Sequence, residues 1–384
     1  MNISRTNKLQ DNQKYHGQKF INKSLSPDTI LEKLTKNINQ IEFDKDNYKK
    51  KIYDSLKSNG KLNFDLSNQE IQYCYNIQSV QTIFNYLAFR YKFKLASSQK
   101  EELEVPPYLL IEPVSACNLR CPMCFQIDKT FTRKPFMGII DWDFFKRVVD
   151  EANEIGVGAI TLASRGEPSM HPKYGEMIEY VCKQNNIFEK KTNTNATFLT
   201  DKICHQIFDN NLTTIVISAD HYEKEQYEIL RKGANFEKIL KNVEMLYNIR
   251  EKYYPKSNTE IRVSGVDYHR NLDRVKFKEF WIQFSDNVSA SYPIERWDTY
   301  NNAPHEDINS ACSYLWDRMY VWFDGLCNPC DEDYKSYLSY GNLKNNSIKE
   351  VWNSKDLKIK RQKHLSSLRN QLTPCDRCGV CFDK

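Results

Sequence analysis

The stretch EPVSACNLRCPMCF, residues 112–125, decides how this chain is organised. It places Cys117, Cys121 and Cys124 in a C-x3-C-x2-C pattern, directly after the apolar run YLLIEPV. Three thiolates from one tight loop suit a cubane iron-sulfur cluster with four irons, because one iron is left without a protein ligand. The alternative is a structural zinc site, but zinc closes a tetrahedron, and this loop offers nothing nearby to complete one.

The overall composition is that of an enzyme-sized chain without a strong charge bias. Of the 384 residues, 27% are charged and 40% hydrophobic, and the formal net charge is +5. So mild an excess is not typical of an obligate nucleic-acid binder. The start of the chain has no apolar core for a signal peptide, and no run of about eighteen apolar residues could span a bilayer. We therefore expect a cytoplasmic protein with no membrane partner.

Twelve cysteines in a reducing compartment predict metal ligation and not disulfides, because nine of the twelve fall into two groups. The first group is the loop at 117–124. The second lies near the end of the chain and comprises Cys312, Cys327, Cys330, Cys375, Cys378 and Cys381. The remaining three, Cys74, Cys182 and Cys204, stand alone in helix-like stretches, where we expect buried small apolar residues.

The chain reads as three segments. For residues 1–104 the sequence predicts a polar extension that is partly disordered and partly helical. We expect a mobile tail to about residue 60 that contains one helix near 28–40, and a second helix from Glu70 to about Leu95. Residues 105–300 alternate short strands with amphipathic helices. Residues 304–384 have few core-forming runs and many thiols, which is typical of a small domain organised by metal.

The middle segment predicts an α/β fold with six parallel strands, either curled into a partial (β/α)6 barrel or laid open. The predicted strands are 108–114, 159–164, 189–195, 214–220, 260–267 and 287–293. The predicted helices between them lie near 142–154, 173–185, 200–210, 235–250 and 272–284. In either arrangement the functional site is expected at the carboxyl ends of the strands, where the cysteine loop follows the first strand.

Together these motifs resemble the radical S-adenosylmethionine (SAM) enzymes with a C-terminal SPASM or twitch extension. The resemblance covers about residues 108–384. It implies that Cys117, Cys121 and Cys124 hold a [4Fe-4S] cluster whose open iron binds SAM. Met123 stands where the family usually has an aromatic residue, and we expect altered packing there without loss of function.

Three further motifs carry the resemblance. RGEPSMHP (165–172) matches the family's GGEP turn, and Arg165 stands in place of the first glycine. We expect this turn to form an exposed end of the second strand. TNTNATFLT (192–200) supplies the strand-three Asn, with Ala196 for the usual glycine, and the stretch 216–246 resembles the fourth strand and its helix. The SAM-binding residues implied by the resemblance are Gly166, Glu167, Pro168, Asn195, Ser218, Asp220 and Arg231. Arg231 could equally be a solvated charge at a helix end.

The C-terminal cysteines resemble a SPASM domain that has too few thiols for two auxiliary clusters. Cys312, Gly325 and Cys330 match the spacing C-x(9–15)-G-x4-C. The resemblance therefore implies one auxiliary [4Fe-4S] cluster, whose expected ligands are Cys312, Cys330, Cys375 and Cys378. Cys327 and Cys381 are then spare or alternative ligands. A zinc ribbon that pairs Cys327 and Cys330 with Cys375 and Cys378 is the competing interpretation.

The resemblance also implies a reaction class. Electrons from a flavodoxin-type or ferredoxin-type donor would cleave SAM, and the resulting radical would take hydrogen from a substrate. Asp331 matches the position of a general base in related sulfatase maturases, although it could be a plain turn residue. We expect a sugar, cyclitol or other small polar metabolite as substrate, with a peptide as the alternative. Four aromatic residues could stack on sugar rings, namely Trp297, Tyr300, Trp316 and Trp322. Core packing is the expected role of most of them.

Two hypotheses from other classes remain open on the sequence. A nucleic-acid-binding zinc protein would use KDLKIKRQKH (355–364) as a basic face, which a solvated helix would explain equally well. A non-catalytic scaffold would carry clusters without cleaving SAM. Loss of binding at moderate salt would support the first, and absence of 5′-deoxyadenosine under reducing, anaerobic conditions would support the second.

Overall fold

A computed structural model describes residues 17–18, 26–293, 298–305 and 310–380. The described residues form two compact units, one within residues 20–103 and one that runs from residue 104 onward and includes the short strand Gly17–Gln18. Along the described ranges, no helix has both the length and the apolar character needed to cross a membrane.

The first unit is helical. Its helices are α1 (Pro27–Lys36), α2 (Asn47–Asn59), α3 (Asn68–Tyr75) and α4 (Val80–Gln99). The predicted helix near 28–40 is confirmed. The prediction of a polar tail to residue 60 is wrong for α2, which begins at the N-cap Asp46 and buries Ile52 and Leu56, one turn apart. Residues 1–25, apart from the backbone of 17–18, lie outside the described residues.

The single helix predicted from Glu70 to Leu95 is two helices. Ser67 and Glu70 form a capping box that starts α3, because the Ser67 hydroxyl accepts the Glu70 N–H and the Glu70 carboxylate accepts the Ser67 N–H. Ser79 then caps α4 by accepting the N–H of Thr82. Apolar periodicity continues across the break, so only the serine caps indicate where one helix ends and the next begins.

The second unit is built on one ten-stranded sheet. Its strands are β1 (Gly17–Gln18), β2 (Tyr108–Ile111), β3 (Ala159–Leu162), β4 (Glu189–Thr194), β5 (Thr214–Ser218), β6 (Glu260–Val266), β7 (Asn287–Ser291), β8 (Met319–Val321), β9 (Leu326–Asn328) and β10 (Gly341–Asn342). Its helices are α5 (Trp142–Glu154), α6 (Tyr174–Cys182), α7 (Asp201–Asp209), α8 (Lys224–Leu230), α9 (Phe236–Tyr253), α10 (Arg274–Trp281), α11 (Tyr314–Asp317), α12 (Ile348–Trp352) and α13 (Lys355–Leu365).

The predicted parallel arrangement is confirmed. Strands β2 to β7 lie side by side in chain order, every neighbouring pair is parallel, and helices connect them. One face of the sheet carries fully buried side chains, such as Ile215 and Ile217 of β5 and Ile261 and Val263 of β6. On the other face, Ser218 of β5 and Arg262 and Ser264 of β6 are half-buried polar residues. This pattern fits a partial barrel with helices on its outer face.

The C-terminal segment continues the same sheet. β8 pairs parallel with β2, and β9 and β10 follow it in antiparallel order. Because β8 lies directly beside the strand that leads into the cysteine loop, the last cysteines and the first ones belong to one compact unit. The division of this unit into a core at 105–300 and a domain at 304–384 stays a prediction.

Candidate active site and metal centres

The cysteine loop follows β2 and carries its three thiols at different depths. Cys121 is buried, whereas Cys117 and Cys124 are half-buried. The Cys117 sulfur accepts the backbone N–H of Leu119 at 3.4 Å and an N–H of the Asn195 side chain at 3.9 Å. Burial raises the pKa of Cys117 to about 11, with a smaller effect from the nearby Cys121. N–H donors aimed at sulfur are what a cluster-bound thiolate uses, so the loop fits a cluster.

The GEP turn at the end of β3 packs directly on this loop. A Cβ at Gly166 would lie 2.1 Å from the backbone oxygen of Val114 and 2.4 Å from that of Ala116, so only glycine permits the contact. The next residue, Glu167, donates its N–H to the Ala116 oxygen at 2.9 Å. Pro168 begins a short 3-10 turn and is buried. The turn therefore packs against the backbone just before the first cysteine of the loop.

Glu167 is not at an exposed strand end, contrary to the sequence-based expectation. Its side chain is 3% exposed, and burial raises the pKa of its carboxyl group. The carboxylate accepts the Thr194 hydroxyl at 2.6 Å and the Asn195 N–H at 2.7 Å, besides two donors of Ser169. These bonds tie the end of β3 to the end of β4. Direct binding of SAM by Glu167 stays a prediction.

Asn195 connects the end of β4 to the cysteine loop. Its amide donates to the Asn118 side-chain oxygen at 2.9 Å and to the Cys117 sulfur, and its own oxygen accepts the N–H of Thr197. The following residue, Ala196, has a backbone φ of 63°. This left-handed conformation explains why glycine would be suited to the position.

We expect that replacing Ala196 by glycine changes the free energy of unfolding by less than about 1 kcal/mol. Relief of the left-handed strain offsets the entropy that glycine loses on folding. The matched control is Ala152→Gly in α5, a buried helical position that should lose about 1 kcal/mol or more. Urea unfolding of both variants measures the difference. Equal losses at the two positions would contradict the strain at Ala196.

Asp220, two residues beyond β5, and Arg231, directly after α8, form an ion pair that is largely buried. Arg231 lies 2.6 Å from the Asp220 carboxylate, and Asp220 also accepts the N–H of Val266 at 2.9 Å. The interpretation of Arg231 as a solvated helix-end charge is wrong, because its side chain is only 13% exposed. Burial raises the pKa of Cys121, and the nearby positive charge of Arg231 opposes that rise. Ser218 is half-buried and aligned with Ser264 of β6.

Arg165, noted in the sequence only as a departure from the motif, forms a second buried ion pair. Its guanidinium makes two 2.6 Å bonds to the carboxylate of Glu112, the residue that follows β2, and both side chains are fully buried. It also donates to the backbone oxygen of Tyr334 at 2.9 Å and lies over the ring of Trp322 at 4.2 Å. The pair joins the GEP turn, the cysteine loop and the C-terminal segment. No sequence signal identified Glu112 as the partner.

Four of the C-terminal cysteines surround a common pocket. Among the described residues, no set of three Cys, His, Asp or Glu side chains is arranged to hold a single metal ion. Instead, the four thiols line a space of about 360 Å³, counted with its open mouth; they are Cys312, Cys330, Cys375 and Cys378. Arg369 also lines the pocket and donates to the backbone oxygen of Cys378 at 3.0 Å. Thiols around a cavity fit a cluster with four cysteine ligands.

Cys327 does not belong to this pocket. It lies fully buried in β9, where its thiol contacts the backbone oxygen of Gly325 at 3.7 Å. Burial raises its pKa, and the charges of Asp324 and Glu151 add to that rise. The zinc ribbon needs Cys327 beside Cys330, so this arrangement does not support it. Cys381 lies outside the described residues.

Asp331 is buried near Tyr320 of β8, whose pKa is raised by burial first and then by the charge of Asp331. Its role as a base stays a prediction. A second acid that sequence reasoning missed is Asp333, whose pKa burial raises to about 7. Asp333 accepts the Tyr300 hydroxyl at 2.8 Å and the Leu338 N–H at 2.7 Å, so it anchors its own loop.

The remaining predictions concern isolated residues. The cysteines Cys74 and Cys204 are buried, as expected, and Cys182 is half-buried. Two of the aromatics suggested as sugar platforms, Trp316 and Trp322, are completely buried, so they are core residues. Tyr300 is also buried, and Trp297 lies outside the described residues.

Curated relatives match parts of the chain at low identity. The tungsten-containing aldehyde ferredoxin oxidoreductase cofactor-modifying protein of Pyrococcus furiosus is 23% identical over 295 residues, which cover 64% of this chain and 81% of the relative. A GTP 3′,8-cyclase of Clostridium botulinum is 27% identical over 187 residues, or 49% of this chain. The chain spans about half the length of this cyclase, 54%.

Solved structures share the fold. SuiB of Streptococcus suis bound to the precursor peptide SuiA superposes with a TM-score of 0.55 at 14% identity, covering 91% of this chain and 83% of SuiB. BtrN in complex with AdoMet and 2-DOIA superposes with a TM-score of 0.51 at 15% identity, covering 73% of this chain and 94% of BtrN.

Family models describe the two cysteine-bearing regions. The model of the radical SAM superfamily matches residues 111–254, and the SPASM model, an iron-sulfur cluster-binding domain, matches residues 312–381. A radical SAM domain implies a [4Fe-4S] cluster and SAM, and a SPASM domain implies auxiliary iron-sulfur clusters. The chain therefore contains a radical SAM domain followed by a SPASM domain.

Proposed function

We propose that this protein is a radical SAM oxidoreductase that takes hydrogen from a sugar, cyclitol or other small polar metabolite. The observation that carries the proposal is the cysteine loop, because three thiols on one loop leave one iron open and both the GEP turn and Asn195 support that loop. When bound, the cluster and SAM would supply radical chemistry for taking a hydrogen atom from the substrate, with one electron from an external reductant consumed in cleaving SAM.

The protein residues around this chemistry have separate tasks. Cys117, Cys121 and Cys124 would hold the cluster, and the seven residues assigned by resemblance would bind SAM. Of these seven, Gly166, Glu167 and Asn195 contact the cysteine loop. Arg231 would bind the carboxylate of a zwitterionic ligand, because its guanidinium is 13% exposed while the buried Asp220 holds it in place. Cys312, Cys330, Cys375 and Cys378 would hold one auxiliary cluster, with Asp331 as the base that takes a proton from the substrate.

A polar substrate is supported by the half-buried face of the sheet. Ser218 and Ser264 are aligned across β5 and β6, and Arg262 donates to the Ser289 hydroxyl at 3.0 Å on the same face. Hydroxyl and guanidinium groups bind sugar hydroxyls and acids better than they bind apolar side chains. BtrN, whose crystal contains 2-DOIA, is a fold relative with this kind of small ligand.

A peptide or protein maturase is the second candidate. Its support is the superposition with SuiB, which covers 91% of this chain. That SuiB structure contains a bound precursor peptide. The two candidates differ in what must accelerate formation of 5′-deoxyadenosine. A small polyol would do so if the first is correct, and only a peptide if the second is.

The test is anaerobic reconstitution with iron, sulfide and zinc measured together, followed by SAM and dithionite. We expect about eight irons per chain, for two four-iron clusters, and formation of 5′-deoxyadenosine. About four irons with one zinc would keep the enzyme but remove the auxiliary cluster. Intact SAM beside a properly reduced cluster would contradict the proposed function, and would instead support a non-catalytic scaffold.

Two cysteine variants distinguish ligands of the auxiliary cluster from buried cysteines that bind no cluster. Replacing Cys375 by alanine should lower the iron content to about four per chain while SAM cleavage continues, because only the C-terminal cluster loses a ligand. The matched control is Cys327→Ala, a buried cysteine outside the pocket, which should keep about eight irons. Iron analysis and electron paramagnetic resonance measure both. Loss of iron in the Cys327 variant but not in the Cys375 variant would reverse the assignment.

A further inference from the structure

A row of aromatic rings leads from the cysteine loop to the surface. Phe125 directly follows Cys124, and its ring stacks on that of Tyr334 with 4.9 Å between the centroids. The Tyr334 ring lies 5.0 Å from that of Tyr300, which in turn lies 4.5 Å from that of Tyr337. Tyr334 and Tyr300 are buried, whereas Tyr337 is 62% exposed. These three tyrosines, which we call the tyrosine row, therefore extend from the ring beside the loop to solvent.

Each buried tyrosine of the row donates its hydroxyl to a buried carboxylate. Tyr334 donates to Asp128 at 3.1 Å, and Tyr300 donates to Asp333 at 2.8 Å. Removing an electron from a buried phenol would leave a costly cation unless the phenol lost its proton at the same time. A carboxylate within hydrogen-bond reach can take that proton. Each pair can therefore become a neutral tyrosyl radical beside a protonated acid.

Asp333 is the better proton acceptor of the two acids. Burial raises the pKa of its carboxyl group to about 7, so it takes up a proton more readily than an ordinary carboxylate. Asp128, in contrast, forms an ion pair with Lys335 at 2.7 Å, which favours its charged form. A neutral radical would therefore be more stable at Tyr300 than at Tyr334, and oxidation would move outward along the row.

We propose that the tyrosine row supplies electrons to hydrogen peroxide that reacts at the cysteine loop, and so protects the loop thiolates from oxidation. The proposal rests on the proposed function in that it requires iron at the loop. The O–O bond of the peroxide breaks, and Tyr334 and Tyr300 each give one electron and one phenolic proton, which passes through the neighbouring carboxylate. The products are two water molecules and two neutral tyrosyl radicals. Without these electrons, peroxide would oxidise a cysteine thiolate to sulfenic acid and beyond.

The exposed end of the row carries the oxidation to solvent. Tyr337 gives an electron to the Tyr300 radical, which takes its proton back from Asp333, and the Tyr337 hydroxyl loses its own proton to water. A radical at Tyr337 is accessible to soluble reductants because its side chain is exposed. When no reductant is present, two such radicals from two protein molecules couple through a new carbon–carbon bond to form dityrosine.

The experiment uses the full, reconstituted protein without SAM or dithionite, mixed anaerobically with an equimolar amount of hydrogen peroxide and then frozen. Electron paramagnetic resonance measures the tyrosyl radical, and mass spectrometry measures oxidation of the three loop cysteines. The variants Tyr300→Phe and Tyr334→Phe each remove one hydroxyl from the row. The matched control is Tyr180→Phe on α6, because this half-buried tyrosine also donates to a carboxylate, that of Asp150 at 2.7 Å, but lies outside the row.

The wild type and the Tyr180 variant should give the same radical signal and the same low oxidation of the loop cysteines. Tyr300→Phe and Tyr334→Phe should lose most of the signal and form more sulfinic and sulfonic acid at those cysteines, with unchanged initial iron content and unfolding midpoint. Tyr337→Phe should keep the signal in the frozen sample but lose the dityrosine-linked dimer after warming.

Equal radical signals and equal cysteine oxidation in Tyr300→Phe and the wild type would overturn the role of the tyrosine row and leave the proposed function intact. So would a full radical signal in Cys121→Ala, because oxidation would then not begin at the loop. A wild-type protein that binds no iron at the loop would overturn both proposals.

Discussion

Replacing Cys121 by alanine is expected to abolish SAM cleavage and to lower the bound iron by about four atoms per chain. Cys121 is the middle and most buried thiol of the loop, and the nearby charge of Arg231 opposes the rise in its pKa that burial causes. Two remaining thiols cannot hold a four-iron cluster in place and keep one iron open for a ligand. The measurement is 5′-deoxyadenosine formed with dithionite as reductant, together with iron analysis.

The matched control for this prediction is Cys204→Ala. Cys204 is also buried but lies in α7, so the substitution removes one sulfur from the core and no cluster ligand. Iron content and SAM cleavage should stay at the wild-type values. Cleavage that persists in the Cys121 variant, or disappears equally in the Cys204 variant, would contradict the role assigned to the loop.

Replacing Arg165 by glycine, the residue that the family motif contains, should destabilise the protein by about 3–5 kcal/mol. Glu112 would remain as a buried carboxylate without its guanidinium, and the Tyr334 oxygen would lose its donor. Such a loss is a large part of the usual 5–15 kcal/mol of folding free energy. The midpoint of urea unfolding should therefore fall strongly, although glycine is the residue expected from the motif.

Two controls separate charge burial from a general effect of mutation. The double variant Arg165→Met/Glu112→Met removes both charges and should recover most of the stability, because no charge is left unpaired. Lys183→Ala breaks the exposed pair with Glu179 and should cost about 0.5 kcal/mol or less. A midpoint for Arg165→Gly as close to the wild type as that of Lys183→Ala would show that the buried pair contributes little.

The order of the parallel strands and the positions of their helices were predictable because each depends on local pattern. Short β-branched runs alternate with amphipathic stretches, and such units form a parallel sheet in chain order. The cysteine loop was equally predictable, since all three thiols lie within eight residues. In the first unit, by contrast, α2 was missed because its sequence is mostly polar and its two buried residues are too few to mark a helix.

Spacing along the chain could not decide which C-terminal cysteines act together. Cys327 and Cys330 are three residues apart, yet only Cys330 faces the pocket with Cys312, Cys375 and Cys378. Cys327 lies within β9, whereas Cys330 lies two residues beyond the end of that strand, and only the folded chain decides which of them reaches the pocket. The burial of Glu167 was also missed, since its hydrogen-bond partners come from the next strand.

By itself the sequence determined the class of fold and the chemistry of the first loop, because periodicity and a short cysteine motif act over a few residues. The tertiary structure alone decided that Arg165 pairs with Glu112, 53 residues away, and that Asp220 holds Arg231 beside Cys121. The physical reason is that a buried charge is tolerated only beside a partner, and the fold selects that partner from distant parts of the chain.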